Sequence, residues 1–333
     1  MGKASAASAA SSLRSSYPRV SLALVVGVCG AVPFIGPKRD PVVLGDVIIS
    51  NLVVQYDLEK VLPDRFARKD TDHDRLGRPN KILRNMLATL DTDLHLERLE
   101  QRAGKLLKDL HKKNAERSGR GRRTRYTNYQ YPGDANDRLF LANYRHKHAP
   151  GHGCKICDAC RKSTDPVCPS ESDPDIFKCF IGEIGSGDGV IRSGEHRGQI
   201  AKEAGVIAFE MEGAGVWDEL PCIVIKGVSD YADSHKSKAW QSYAAATAAS
   251  VARAVMEKFI NTAKVSGSLQ SVGTAHGAGE SNHRGGGSGR AGGRNGGDGT
   301  GSGTAYYNTN VAGSRYASGL SATNGSTINI RLA

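Results

Sequence analysis

The chain has 333 residues, 39% of them hydrophobic, enough for a core in one large or two ordinary domains. Its formal net charge of +11 raises nucleic acid as a partner class, so the cations have to be placed on particular residues. The seven cysteines lack the pattern of a secreted disulfide framework, which favours a reducing compartment with the cytoplasm as default.

Residues 1–39 contain no acid and several Ser, Ala and Arg, a composition that mimics a mitochondrial presequence. Myristoylation at Gly2 is excluded, because Ala6 stands where a hydroxyl residue is required. The apolar run Leu22 to Ile35 is interrupted by Gly27, Gly30 and Pro33 and is too short to span a bilayer. It predicts a strand running into a glycine turn, and no membrane partner.

Leu96, Leu99, Ala103, Leu106, Leu107 and Leu110 recur at helical spacing and predict an amphipathic helix. Lys105, Lys108, Lys112 and Lys113 would form its solvated side. Arg117, Arg120, Arg122, Arg123 and Arg125 would continue into a loop, with Tyr126, Tyr129 and Tyr131 close behind. The bland reading is preferred to a nucleic-acid surface, whose affinity would fall steeply with salt. Further on, Cys154, Cys157, Cys160 and Cys168 supply four thiolates flanked by His146, His148 and His152. Four such ligands suit a structural zinc, although three cysteines in one run is not a standard finger spacing. Reduced cysteines in a loop remain the other reading. Cys29, Cys179 and Cys222 lie in apolar runs and read as small core residues.

The most informative stretch runs from Val206 to Lys236. Val206-Ile207-Ala208-Phe209 and Cys222-Ile223-Val224-Ile225 are short, β-branched runs that predict strands covered on both faces. Each delivers a carboxylate to a strand end: Glu212 through Phe209-Glu210-Met211-Glu212, and Asp230 through Val228-Ser229-Asp230. In an open α/β sheet, ligands sit outside the carboxyl ends of the strands. Gly213 to Trp217 starts a helix, so Glu212 lies at its N-terminus, where the dipole favours negative charge. A fixed carboxylate accepts two hydrogen bonds from a vicinal diol such as ribose. A carboxyl at Asp230 in a dry pocket would be kept protonated by desolvation and could act as a general acid. Ser229-Asp230 equally fits a helix N-cap. Glu210 reads as structural, and His235 and Lys236 as members of a solvated polar loop.

Trp240, Tyr243, Thr247, Val251, Val255 and Phe259 fall at spacings of three and four and predict a closing helix over Ala239 to Ile260. From about Val265 onward Gly, Ser, Asn and Thr dominate, too little apolar surface to offset ordering entropy, so residues 265–333 are expected to be a disordered low-complexity tail. Within it, Tyr306-Tyr307-Asn308-Thr309-Asn310 and Asn324 to Ile330 are β-compatible.

Phe209-Glu210-Met211-Glu212-Gly213-Ala214-Gly215 followed by Val228-Ser229-Asp230 resembles the purine nucleoside phosphorylase and nucleosidase superfamily. The likeness is strongest to the phosphorylase-like domain of large fungal multidomain proteins. Supporting motifs are Val26-Gly27-Val28-Cys29-Gly30-Ala31-Val32, Leu44-Gly45-Asp46-Val47-Ile48-Ile49, Ser186-Gly187-Asp188 and Asp230-Tyr231-Ala232-Asp233-Ser234-His235-Lys236, in the family's order over roughly residues 1–260. The resemblance implies a three-layer αβα domain with a mixed central sheet over 1–264, carrying a basic, cysteine-containing insertion at about 63–174.

The implied activity is cleavage of a purine nucleoside's N-glycosidic bond, by phosphorolysis or hydrolysis. Asp230, helped by Ser229, would protonate the base. Glu212 would hold the ribose, Met211 would pack on the sugar and Phe209 near the base. Gly27, Gly30 and Ser186 would complete the substrate and anion contacts. No cofactor is implied beyond phosphate as co-substrate, and the partners are nucleoside, phosphate and further copies of the chain. Two departures stand out. Val28 occupies a position where many relatives carry a hydroxyl, and the family's first strands and glycine-rich phosphate loop have no counterpart. The second predicts apolar sheet edges in need of a partner. It also keeps open a competing class, a nucleoside-sensing or interaction module that retains Glu212 and Asp230 without turnover.

Overall fold

The computed structural model describes residues 2–64, 66–69, 71–118, 129–145, 176–236, 238–273, 304–311, 314–323 and 327–332. The chain divides into two compact units, Met1–Val255 and Met256–Ala333.

The first unit is built on five strands: β1 (Ala23–Ala31), β4 (Val47–Gln55), β7 (Cys179–Ser186), β8 (Ala208–Glu210) and β9 (Cys222–Asp230). Two small hairpins, β2 (Phe34–Ile35) with β3 (Asp40–Pro41) and β5 (Glu59–Val61) with β6 (Phe66–Arg68), lie between them in sequence. The main sheet is mixed and runs β1-β8-β7-β4-β9 before closing back onto β1. β9 is parallel to β1 and antiparallel to β4, whereas β7 is parallel to both β4 and β8. Every residue of β9 is buried, the apolar run Cys222 to Ile225 together with Lys226, Ser229 and Asp230.

The sheet therefore closes, where an open sheet was expected. Closure depends on a short antiparallel contact in which Gly30 meets Phe209 and Ala31 meets Ala208. Ahead of that contact, Ala23 to Cys29 have a strand neighbour, β9, on one side, and the stretch Ala23 to Val28 is half-buried.

Helices follow from their caps and apolar stripes. α1 (Lys3–Ser16) buries Ala6 and Ala10. α2 (Lys81–Leu90) begins where the Asn80 side chain accepts the Leu83 N–H at 3.0 Å. α3 (Asp93–Ser118) buries Leu99, Ala103 and Leu107 and leaves Lys105, Lys108, Lys112 and Lys113 exposed. α4 (Gly194–Ala204) starts at Ser193, whose hydroxyl accepts the His196 N–H, and stops at Gly205 in the left-handed region (φ 72°). α5 (Gly213–Trp217) follows Glu212 directly, and α6 (Gln241–Gly273) is the closing helix.

Of the predicted face, Trp240, Tyr243, Thr247, Val251 and Val255 are buried and Phe259 is half-buried. α6 lies so close to β9 that a Cβ at Gly227 would overlap the Ala244 carbonyl. Gly45, at φ 101°, turns the chain beneath the Tyr243 ring, a conformation that favours glycine.

The second unit holds the end of α6 and an antiparallel sheet of β10 (Thr304–Val311), β11 (Ser314–Thr323) and β12 (Thr327–Leu332). The two β-compatible segments singled out in the tail fall in or beside β10 and β12.

Cys154, Cys157, Cys160 and Cys168, and the arginines from 120 to 125, lie outside the described residues. Among the described residues, no three His, Cys, Asp or Glu side chains are placed to hold a metal ion. No helix among them is long and apolar enough to cross a membrane.

Candidate functional site

The two carboxylates expected at strand ends are there, and each is held by a lysine. At the end of β8, Glu210 is buried and accepts the backbone N–H of Glu212 at 3.0 Å and of Gly213 at 2.9 Å. This turns the chain sharply into α5. Ser186, fully buried at the end of β7, accepts the Ala214 N–H at 3.0 Å and hydrogen-bonds Glu210. The hydroxyl expected to touch substrate is thus spent on the turn that presents Glu212.

Lys226 reaches this turn from β9. Its Nζ lies 3.1 Å from Glu210 Oε2 and 2.8 Å from Glu212 Oε2. The Lys226 and Glu210 side chains are 3% and 0% exposed, and Glu212 is 26% exposed. Burial alone would push the Glu210 carboxyl up and the Lys226 ammonium down. The charge pairing and the N–H groups on Glu210 outweigh it, holding Glu210 below and Lys226 above their ordinary ranges. Glu212 does sit at the N-cap of α5, but its side chain makes no capping hydrogen bond. The helix end was expected to fix this carboxylate; the geometry gives that role to Lys226.

Asp230 ends β9. Its Oδ1 accepts the Ala232 N–H at 3.0 Å, made possible by Ala232 in the left-handed region at φ 50°. Its Oδ2 lies 3.0 Å from the Ser229 hydroxyl, which also stands 3.2 Å from the Cys29 carbonyl oxygen. The Lys236 ammonium sits 3.2 Å from Oδ2. The dry pocket expected around Asp230 holds a cation as well: Asp230 is only 4% exposed and Lys236 stands against it.

The loop that supplies Lys236 is not simply solvated either. His235 is 6% exposed, stacks on Phe140 with centroids 3.7 Å apart, and donates its N–H to Asp233 at 2.8 Å. Stacking across the loop fixes it.

Gly27 and Gly30 lie beneath these heads. In the β1–β9 register Gly27 pairs with Lys226 and Gly30 with Asp230. A Cβ at Gly27 would stand 3.3 Å from Lys226 Nζ, and one at Gly30 2.8 Å from Asp230 Oδ1. Both glycines make room for charged side chains of the neighbouring strand.

Phe209 is buried against Tyr56, edge to face at 5.7 Å, in a cluster with Ile191, Ile200, Val206 and Ala232. Met211 is half-buried beside Glu212. In the Ser186-Gly187-Asp188 motif, Asp188 Oδ1 accepts the Lys3 N–H at 2.9 Å, and Lys3 Nζ pairs with Asp57 and, at 3.6 Å, with Asp188 Oδ2. That motif anchors the start of α1. A cavity of about 420 Å³ opens instead at the other end of β9, lined by Tyr17, Pro18, Trp217, Leu220, Pro221 and Cys222, and none of the candidate residues reaches it.

Sequence reasoning missed Lys226 altogether. Its signal is a lone cation inside the buried run Cys222 to Val228, which can be tolerated only if carboxylates meet it.

No family model matches the chain. Among solved structures it is similar to the 5'-methylthioadenosine/S-adenosylhomocysteine nucleosidase of Neisseria meningitidis, at 18% identity over 78% of each chain and a TM-score of 0.43. It is also similar to the futalosine hydrolase of Helicobacter pylori, at 15% identity over 78% of this chain and 76% of that one, TM-score 0.41. A curated relative, a nucleotide-binding leucine-rich repeat (NLR)-like protein of Hyaloscypha variabilis, is 30% identical over 266 residues, 77% of this chain. The chain spans 23% of that relative's length.

Proposed function

We propose that the first unit binds a purine nucleoside across the ends of β8 and β9 and cleaves its N-glycosidic bond. The observation that supports this most directly is the paired arrangement Glu212–Lys226 and Asp230–Lys236 over the glycines of β1. Glu212, oriented by Lys226, accepts hydrogen bonds from the ribose hydroxyls. The base lies toward Asp230. As the bond between the anomeric carbon and the purine nitrogen breaks, its electron pair goes to the base. Asp230 passes a proton to the ring nitrogen, which keeps the leaving group neutral, and takes up in turn the proton that the attacking water or hydrogen phosphate gives up. An oxygen of phosphate or water forms the new bond to the anomeric carbon. Glu212 stabilises the positive charge that the sugar develops.

A second reading has its own support. The similarity to an NLR-like protein, of which this chain matches 23%, favours a nucleoside-sensing module within a larger chain. Incubation with nucleosides in the presence and absence of phosphate separates the readings. Free base with sugar phosphate marks a phosphorylase, free base with free sugar marks a nucleosidase, and saturable binding without product marks a sensor. No nucleoside binding by the folded protein would contradict both.

A further inference from the structure

The peptide between Tyr231 and Ala232 is held at both ends. Its N–H donates to Asp230 Oδ1 at 3.0 Å, and its carbonyl oxygen accepts Arg197 Nη1 at 2.6 Å. Arg197 comes from α4, whose Ile200 and Ala204 share a buried cluster with Ala232, so the helix and the turn are packed together. A guanidinium is a costly group to keep there. Arg197 is 6% exposed and its Nε has no hydrogen-bond partner among the described residues. Burial pushes it below its ordinary range despite the charge of Asp233.

Ala232 is strained as well. At φ 50° it lies in the left-handed region, which a residue with a Cβ enters at a disadvantage of about tenfold. Turning over the peptide before it, the change that separates two common β-turn types, would return that φ to negative values. The same turn would withdraw the N–H from Asp230 and aim the carbonyl oxygen at the carboxylate instead. We propose that Arg197 is a positioning residue for the proton transfer: its bond to the Tyr231 carbonyl holds the strained peptide in the orientation that aims Asp230. The inference rests on the nucleoside reading above and adds a residue, on another element, on which the action of Asp230 depends.

Arg197→Met, Ala232→Gly and the double variant test it, with kcat and KM measured on a purine nucleoside that wild type cleaves. Arg197→Met should lower kcat about tenfold and leave KM within about twofold, because Glu212 and the ribose end are untouched. In the same variant the Ala232 amide should lose its protection from hydrogen exchange, read by nitrogen-15 NMR. Glycine enters the left-handed region freely, so adding Ala232→Gly to Arg197→Met should restore part of kcat. A residue that only supported the fold would give the opposite sign, since the glycine also removes a buried methyl. Thermal melts establish that each variant is folded, and Arg197→Gln is read by the same criteria if the methionine variant is not. Unchanged kcat, a loss carried by KM alone, or a further loss in the double variant overturns the inference and leaves the nucleoside reading standing. An Ala232 amide that stays protected in Arg197→Met overturns it whatever the activity. A folded wild type that releases no base removes the cleavage reading instead, and the catalytic role of Arg197 with it.

Discussion

Gly30 on β1 and Asp230 on β9 face each other in register, so close that a Cβ on Gly30 would stand 2.8 Å from Asp230 Oδ1 and 2.9 Å from the Ala232 methyl. The carboxylate at the heart of the site is seated by the absence of a side chain on the next strand. Gly30→Ala is therefore expected to displace Asp230 and the Ala232 turn together. The cost should be about 1–3 kcal/mol, the usual range for overpacking a filled site, with loss of activity beyond the loss of stability. Gly27→Ala should be milder, because the atom it approaches is the tip of Lys226, 3.3 Å away. Melting temperatures and activity at a temperature where both variants are folded check the order.

Lys226 is the countercharge of a carboxylate with no exposure to water. Lys226→Met leaves Glu210 buried with only neutral donors, and should destabilise the fold by about 3–5 kcal/mol. Adding Glu210→Gln removes the stranded charge and should recover part of that loss. Urea denaturation of the two singles and the double measures the coupling; additive effects would show that the pair is not energetically linked.

Acidity should affect stability with opposite signs in two windows. Asp46 accepts the N–H groups of Val43 and Lys178, yet burial pushes its carboxyl from 3.8 up to about 7. Folding thus favours its protonated form, so its contribution is full below the ordinary carboxylate range and is lost as pH rises toward 7. Asp137 and Asp233, also raised by burial, act in the same sense. The melting temperature should climb as pH falls from 7 to about 5, with a slope of at most about 1.4 kcal/mol per pH unit from Asp46. Asp46→Asn should flatten that slope. Below the ordinary carboxylate range the trend should reverse, because Glu210 and Asp57 are held low despite burial, by Lys226 and Lys3 respectively, and lose those partners on protonation. A flat profile between pH 5 and 7 would contradict the Asp46 assignment.

The strands and the closing helix were legible because their residues repeat at the spacing of a buried face: Cys222 to Ile225 is buried throughout, and so are Trp240, Tyr243, Val251 and Val255. The placement of Glu212 and Asp230 at strand ends was legible for the same reason. What holds them was not. Lys226, Lys236, Ser186 and Lys3 act across distances of 14 to 185 residues or through a loop whose order comes from stacking, and no local pattern carries such pairings. Sheet closure was hidden too, because it rests on the two residue pairs between β1 and β8.

The central claim is that Asp230 and Glu212 act on the two ends of a nucleoside. Chromatographic detection of free base after incubation with inosine, guanosine, adenosine and uridine, each with and without phosphate, tests it most directly. The account predicts base release by wild type from purine nucleosides, and its loss in Asp230→Asn and Glu212→Gln proteins that melt as cooperatively as wild type. Release that persists in both variants, or a folded wild type that neither releases base nor binds nucleoside, would contradict it.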